Sequence, residues 1–462
     1  MFKMISAPKG LLAAALSVSL LLAAPAPAVL GAAGQPSVSS AVLDQTTNEY
    51  ALFLQEKFGV QLKDSPTRGD FIQAVARMLV FPPDGGKAEV AFSDLKPSSP
   101  SYTAAATLFQ QGILTSSSVA ADQPLTSLQA VFIAVKAADL KELAYSYPKE
   151  KVAQSLSAIA LRIEDFTSLT AAQEIAAAKD AGLIDPAFYA ELKPNKPASK
   201  AFAEQLLGRV LEAKGQYKHF IAATSDPAIY AKLTDAYRTS DIIAAPELEA
   251  VVNGALEQGL VTGYNLKDSR YDPNFVDSLT ITYGHSDLKH AIQLIGLLRS
   301  EGIEANVQFE PKTSAFVHLR EWGEPTPSSD YQYKKLANGN YIASAREYDI
   351  AFEFKSAADK ERFQPIVLKY AKKNSDDVSG LIAGSWWQPL YYSLTELKEY
   401  DVITNNKITG SGSYYAQSFS LNKDSEAIVA GFKKLDPEVK ISTYTFWVDR
   451  PFHNYLAGDD FK

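Results

Sequence analysis

Few residues in this chain stand at spacings that do chemistry. It has five histidines, His219, His285, His290, His318 and His453, and the closest pair is His285 and His290. With Asp287 between them they form a mixed nitrogen and oxygen donor set of the kind that holds a transition metal. Five residues of helix turn through about 500°, so the two rings share a site only if His285 folds back from the preceding loop. The same segment reads as a plain helix start, with Ser286 or Asp287 as N-cap, and no metal site is assigned to it. The 53 acidic residues single out no glycosidase pair, because the defining separation is spatial. There is no cysteine, which excludes disulfides, thiolate metal sites and cysteine nucleophiles. No Gly-x-Ser-x-Gly elbow, P-loop or dinucleotide-binding glycine pattern is present. Thr409-Gly410-Ser411-Gly412-Ser413 lacks the Lys-Ser/Thr of a phosphate cradle and reads as a turn. Neither a catalytic residue nor a cofactor is predicted. Aromatic residues offer a different chemistry. Trp386-Trp387 with Tyr391-Tyr392, and Tyr414-Tyr415, put rings on both faces of any strand they occupy. Exposed rings stack on sugars or mark protein interfaces, and buried ones pack a core.

The chain has 462 residues, 46% hydrophobic and 21% charged. This is ordinary globular usage, with length for roughly two to four domains. A formal charge of −8 disfavours a nucleic-acid partner, which selects basic surfaces. Lys3 and Lys9 precede an apolar run from Leu11 to Ala24, and small residues follow at Ala26-Pro27-Ala28 and Gly31-Ala32-Ala33. That order is a secretory signal peptide, residues 1–33. The run is shorter than the ~20 residues of a bilayer span. The mature chain is expected to be secreted, at the cell wall or cell surface, with no stable membrane span. Residues 34–48 read as a flexible leader.

Residues 49–275 are alanine-rich and show helical spacing. Phe71, Val75, Met78 and Leu79 share one helix face, as do Ala130, Ile133, Ala134 and Ala137, and Phe202, Leu206, Leu207 and Val210. From 276 onward all four tryptophans appear and the period changes to two. Leu279, Ile281 and Tyr283 alternate, then Ala305, Val307 and Phe309, then Tyr348, Ile350, Phe352 and Phe354. The expected fold is multidomain. An all-α region of small hairpins precedes an α+β domain, residues 276–462, with an antiparallel sheet covered by helices. Strand, helix, strand, strand, helix and strand over 279–392 fit a ferredoxin-like split unit.

Three helix openings repeat in the first half: Pro66-Thr67-Arg68-Gly69-Asp70-Phe71, Pro124-Leu125-Thr126-Ser127-Leu128-Gln129 and Pro197-Ala198-Ser199-Lys200-Ala201-Phe202. Each sets a proline just before a hydroxyl N-cap. Glycine turns recur at Gly112-Ile113-Leu114, Gly182-Leu183-Ile184 and Gly259-Leu260-Val261, where an apolar pair tucks back after a left-handed cap. Phe92-Ser93-Asp94 precedes the first turn, and Tyr271-Asp272-Pro273 follows the last. Residues 49–275 resemble three degenerate S-layer homology (SLH) repeats. The resemblance implies a pseudo-threefold helical bundle that anchors an exported protein to a secondary cell-wall polysaccharide of Gram-positive-type bacteria, anionic and often pyruvylated. It implies a polysaccharide site at Thr67, Arg68 and Asp70, with Ser199 and Lys200 as the third-copy counterpart. Arginine suits a carboxylate because its planar fork binds both oxygens. Lys200 keeps the charge without the fork, and Ser127 has neither. The expected function is attachment to wall polysaccharide and display of a C-terminal binding or structural module for a glycan or protein, with Trp386, Trp387 and Tyr391 as its contact surface. The alternative is a surface hydrolase of glycans with its site in the C-terminal domain.

Overall fold

The computed structural model describes residues 40–80, 90–370 and 390–459, with side chains from 48 onward. The expected signal segment and Trp386-Trp387 lie outside the described residues.

In the first half, local caps and apolar stripes make eight helices: α1 (Ser40–Phe58), α2 (Arg68–Met78), α3 (Tyr102–Gln110), α4 (Ser127–Ala137), α5 (Lys141–Tyr145), α6 (Lys149–Ser157), α7 (Leu169–Asp180) and α8 (Lys200–Ala213). Residues 40–48, expected in a leader, belong to α1. These helices share one core running from Phe53 to Leu211. Thr67 and Thr126 close capping boxes with Asp70 and Gln129, and Ser199 caps α8. The three openings are joined edge to edge. Leu125 N donates to Pro66 O at 3.0 Å, and Ala198 N donates to Leu125 O at 2.8 Å. Antiparallel bridges Thr67–Pro124 and Thr126–Pro197 accompany them. Gly112 and Gly182 take the left-handed conformation that ends α3 and α7, and Ile113 N and Leu183 N reach back to Leu108 O and Ala178 O.

The second half corrects the fold expectation. Its strands are β1 (Ala222–Ala223), β2 (Gly263–Asp268), β3 (Thr280–His285), β4 (Ala305–His318), β5 (Tyr331–Lys335), β6 (Tyr341–Phe354), β7 (Leu390–Ser393), β8 (Tyr400–Thr409), β9 (Tyr414–Ser420) and β10 (Lys440–Asp449). Eight of them close an antiparallel barrel in the order β4-β2-β9-β8-β10-β7-β3-β6, and β6 pairs back onto β4 along its whole length. The C-terminal region is therefore a barrel and not a ferredoxin-like α+β layer. Strands β2, β8, β9 and β10 continue the sheet and pair both of the edges that a four-stranded layer leaves open.

Six further helices surround the barrel: α9 (Ile229–Arg238), α10 (Pro246–Glu257), α11 (Leu288–Ser300), α12 (Ala357–Tyr370), α13 (Ser425–Leu435) and α14 (Arg450–Ala457). Ile281, Tyr283, Val307, Phe309, Ile350 and Phe352 pack outward against α9, α11 and α12. Leu266, Ile408 and Ala416 pack against α10 and α13. Residues 222–268, grouped by composition with the helical half, thus supply α9, α10, β1 and β2 to the barrel. The faces opposite these apolar stripes turn into the lumen.

Gly208 of α8 lies under the Tyr50 ring, whose carbons an added Cβ would meet at 2.1 to 2.5 Å. Tyr50 is tied to Glu212 by a 2.6 Å hydroxyl bond, so the ring has little room to retreat. Gly208→Ala is expected to destabilise the chain by about 2 kcal/mol, overpacking exceeding the gain in helix propensity. Gly254→Ala in α10, where the nearest atom is Leu435 Cδ2 at 3.5 Å, is expected to stabilise it by up to about 1 kcal/mol. Urea unfolding of both variants followed by circular dichroism checks the opposite signs.

Candidate functional site

The helix opening at Thr67 sets up the first site. Thr67 Oγ1 accepts from Asp70 N at 3.1 Å, and Asp70 Oδ2 accepts from Thr67 N at 3.0 Å. Lys63 also reaches Asp70, at 3.1 Å. Both predicted neighbours of Arg68 are therefore occupied in capping α2. Arg68 itself enters a groove of about 280 Å³ whose walls include Leu114, Thr115, Gln129, Lys136 and Glu174. The groove runs between the first and second repeated openings. Lys136 Nζ is neutralised by Glu174 Oε2 at 2.6 Å, and Tyr145 donates to the other Glu174 oxygen at 2.8 Å. Arg68 is half-buried, and its Nε has no hydrogen-bond partner among the described residues. Burial pulls the guanidinium below its usual pKa, while the Asp94 charge opposes the shift. Asp94 is engaged elsewhere, since it accepts from Ser118 Oγ, Val119 N and Ala120 N at 2.7 to 2.8 Å. Arg68 is thus a cation in a groove with no carboxylate bonded to it among the described residues.

The remaining predicted residues fall elsewhere. Ser199 accepts from Phe202 N at 3.1 Å and donates to Glu191 at 2.9 Å, and Lys200 Nζ lies 3.9 Å from Glu204. His285 is buried and bonds His290, Nε2 to Nδ1, at 3.0 Å, while its Nδ1 accepts from Asp287 N at 2.8 Å. Burial, with the neighbouring His290 adding to it, pushes His285 down to about 3, so the ring is neutral. Asp287 caps α11 through Lys289 N. Among the described residues no group of three His, Cys, Asp or Glu side chains is placed to hold a metal. Tyr391 is buried against Tyr283 and Phe363, with ring centroids at 5.0 and 5.6 Å, so it packs the core and forms no contact surface. No helix among the described residues is long and apolar enough to cross a membrane.

Sequence reading missed the densest ionisable cluster, which lies in the lumen. Strand register sets Glu310 opposite Asp349 and Lys267 opposite Lys312. Like charges directly across strands repel, and diagonal contacts resolve the conflict. Lys267 Nζ lies 2.7 Å from Glu310 Oε2 and 3.0 Å from Asp349 Oδ2. Lys312 Nζ lies 2.7 Å from Asp349 Oδ1 and 3.8 Å from Glu347 Oε2. Two lysines therefore serve three carboxylates. Burial works against the Asp349 charge, but Lys312 and Lys267 together outweigh it and hold its carboxyl down to about 2. Glu310 has Lys267 alone, so burial prevails and pushes its carboxyl up to about 7. The cluster stands between two cavities. One of about 750 Å³ faces the helical bundle and reaches Lys267 and Glu310. The other, of about 200 Å³, lies beneath α14 and reaches Lys312, Glu347 and His285. The available signal was the pair of patterns Glu310-x-Lys312 and Glu347-x-Asp349, each on the polar face of a strand whose other face is apolar.

Glu310 titrates above its ordinary value of 4.5 in the folded chain. Between the two pH values the folded state keeps a proton that the unfolded state has lost. The stability this supplies is complete below about pH 4.5 and disappears as pH rises through about 7. Relative to Glu310→Gln, which lacks the titration, the parent chain is expected to lose on the order of 1–3 kcal/mol between these pH values. Urea midpoints of both proteins at pH 4.5 and 7 measure the difference. No family model matches the chain, and no curated protein matches it.

Proposed function

We propose that this chain is an exported cell-surface protein that holds to anionic wall polysaccharide through the Arg68 groove, and that the barrel is a binding module displayed from that anchor. The observation that carries the reading is Arg68: a half-buried guanidinium with an unpartnered Nε, at the mouth of a groove whose other cation is already neutralised. A guanidinium that no carboxylate pairs among the described residues is open, through its terminal nitrogens, to a charge-assisted, two-pronged bond from an incoming carboxylate. The three joined helix openings, with matching caps, support the repeat resemblance from which the polymer class follows. Only the first opening carries an arginine. Export rests on the charge and apolar order of residues 1–33.

The test uses the whole mature chain and isolated wall sacculi, before and after removal of the secondary polymer. Binding is expected to require the polymer. Arg68→Ala is expected to weaken it by about 10- to 100-fold, the worth of one bidentate charged contact. Arg68→Lys, which keeps the charge and loses the fork, is expected to fall between the two. Equal retention by Arg68→Ala would remove the groove from the anchor, and equal retention by polymer-free walls would remove the polymer.

A further inference from the structure

We infer that the larger lumen cavity is a second binding site, and that it takes a small neutral saccharide of one or two rings. The cavity measures about 750 Å³, within the range of small-molecule sites. It lies in the barrel, remote in sequence from Arg68, and the inference does not rest on the wall-anchor reading.

Its walls are of two kinds. Tyr444, half-buried, supplies aromatic surface, on which the apolar face of a sugar ring stacks, while Tyr415 and Phe446 border the cavity but are buried, the first under Lys407 and the second against Tyr392 and Phe419. Between the rings stand polar groups with capacity left over. Glu310 is only 4% exposed, and one of its oxygens is engaged by Lys267. The other oxygen has no hydrogen-bond partner among the described residues. Tyr415 donates its hydroxyl to Asp272 Oδ1 at 2.8 Å, which leaves Oδ2 as an acceptor. The Tyr444 oxygen accepts from Asn405 Nδ2 at 2.7 Å and from Gln417 Nε2 at 3.2 Å. With both bonds incoming, the Tyr444 hydrogen is left to donate. The cavity thus offers a hydroxyl donor and two carboxyl acceptors beside an aromatic ring, groups that sugar hydroxyls match because each one both donates and accepts.

Charge selects the class further. The lining holds Lys57, Lys267 and Lys407 against Asp272, Asp277 and Glu310, which balance once Glu310 is ionised, above about pH 7. Lys57 is paired with Asp277 at 2.7 Å, and Lys407 sits 3.9 Å above the Tyr415 ring. A cationic ligand would add a buried charge that nothing offsets, and an anionic one would draw Lys407 off the Tyr415 ring. An apolar ligand would strand the Glu310 oxygen and the Tyr444 hydrogen. A neutral polyhydroxylated ring incurs neither cost.

The test is calorimetric titration of the full mature chain with glucose, N-acetylglucosamine and cellobiose, with galacturonate as the charged comparison. At least one neutral probe is expected to saturate a single site at up to millimolar concentration, more tightly than galacturonate. Tyr444→Phe, which keeps the ring and removes the donated hydrogen, is expected to weaken that binding about tenfold. Arg68→Ala is expected to leave it unchanged, which separates this site from the anchor. Should Tyr444→Phe misfold, protection of Lys407 from acetylation by the bound sugar reads the same site in the parent chain. No saturable neutral probe, preference for galacturonate, or binding that neither depends on Tyr444 nor protects Lys407 would each overturn the inference.

Discussion

The barrel depends on how Lys267 and Lys312 are shared among Glu310, Glu347 and Asp349. A closed sheet sends every second residue inward, and here Lys267, Glu310, Lys312, Glu347 and Asp349 are buried together among them. Each costs several kcal/mol to take out of water, and only close pairing offsets that. Pairing along the register supplies only Lys312 opposite Glu347 within this cluster, since Glu310 faces Asp349 and Lys267 faces Lys312. The diagonal contacts work because the strands are staggered as they are and because β3 offers Gly284 at this level. A Cβ there would lie 2.6 Å from Lys312 Nζ and 2.7 Å from Asp349 Oδ1. A slip of one residue in β4 or β6 would carry the charges under α11 and α12 and turn Phe309, Ile350 and Phe352 into the lumen. The charge lattice and the apolar outer faces therefore specify the same register. The imbalance of two cations to three anions falls on Glu310, a buried carboxyl that lines the larger cavity.

The bundle is organised by backbone contacts of a different sort. Arg68 N donates to Gln123 O at 2.9 Å, and Gly69 N donates to Ala121 O at 2.8 Å. A side chain at residue 69 would press on Ala121 O at 2.9 Å and Ser101 Oγ at 2.7 Å, so the close approach requires glycine. Asp94 holds the facing loop from the other side by taking the amides of Val119 and Ala120. With the backbone fixed on both flanks, the Arg68 side chain is delivered to the groove while Thr67 and Asp70 are committed to the cap. The Phe-x-Asp segment and the helix-opening motif thus cooperate across the fold, and neither completes the site without the other.

What was legible in the sequence was local. The caps at Thr67, Thr126, Ser199 and Asp287 and the left-handed turns at Gly112, Gly182 and Gly259 are set by neighbours within a few residues. The apolar stripes of β3, β4 and β6 were legible too, because packing against helices needs a period of two. Closure was not legible. It depends on β2 finding β9 and on β10 finding β7, pairings that no local pattern encodes. For the same reason the charged alternate positions drew no site prediction, since only closure makes them an interior. Tyr391 was misjudged likewise: β7 pairs on both edges, with β3 and β10, and its outward ring is buried under α12 by Phe363.

The two halves are not independent modules on a linker. Lys218, just past α8, pairs with Glu353 of β6 at 2.8 Å with both side chains buried, and Glu353 also accepts from Val276 N and Asn306 Nδ2. Glu56 of α1 accepts from the amide of Ser278 at 3.1 Å. Val276 joins the bundle's own core. A buried pair that loses one partner costs about 3–5 kcal/mol, so separating the halves is expensive. Lys57 and Tyr217, both from the bundle side, line the larger lumen cavity. The wall of that cavity is therefore built by two folding units, and its shape is set by how they dock. For an occupant that contacts both, any preference for one docking geometry is matched by an equal effect of that geometry on its own affinity.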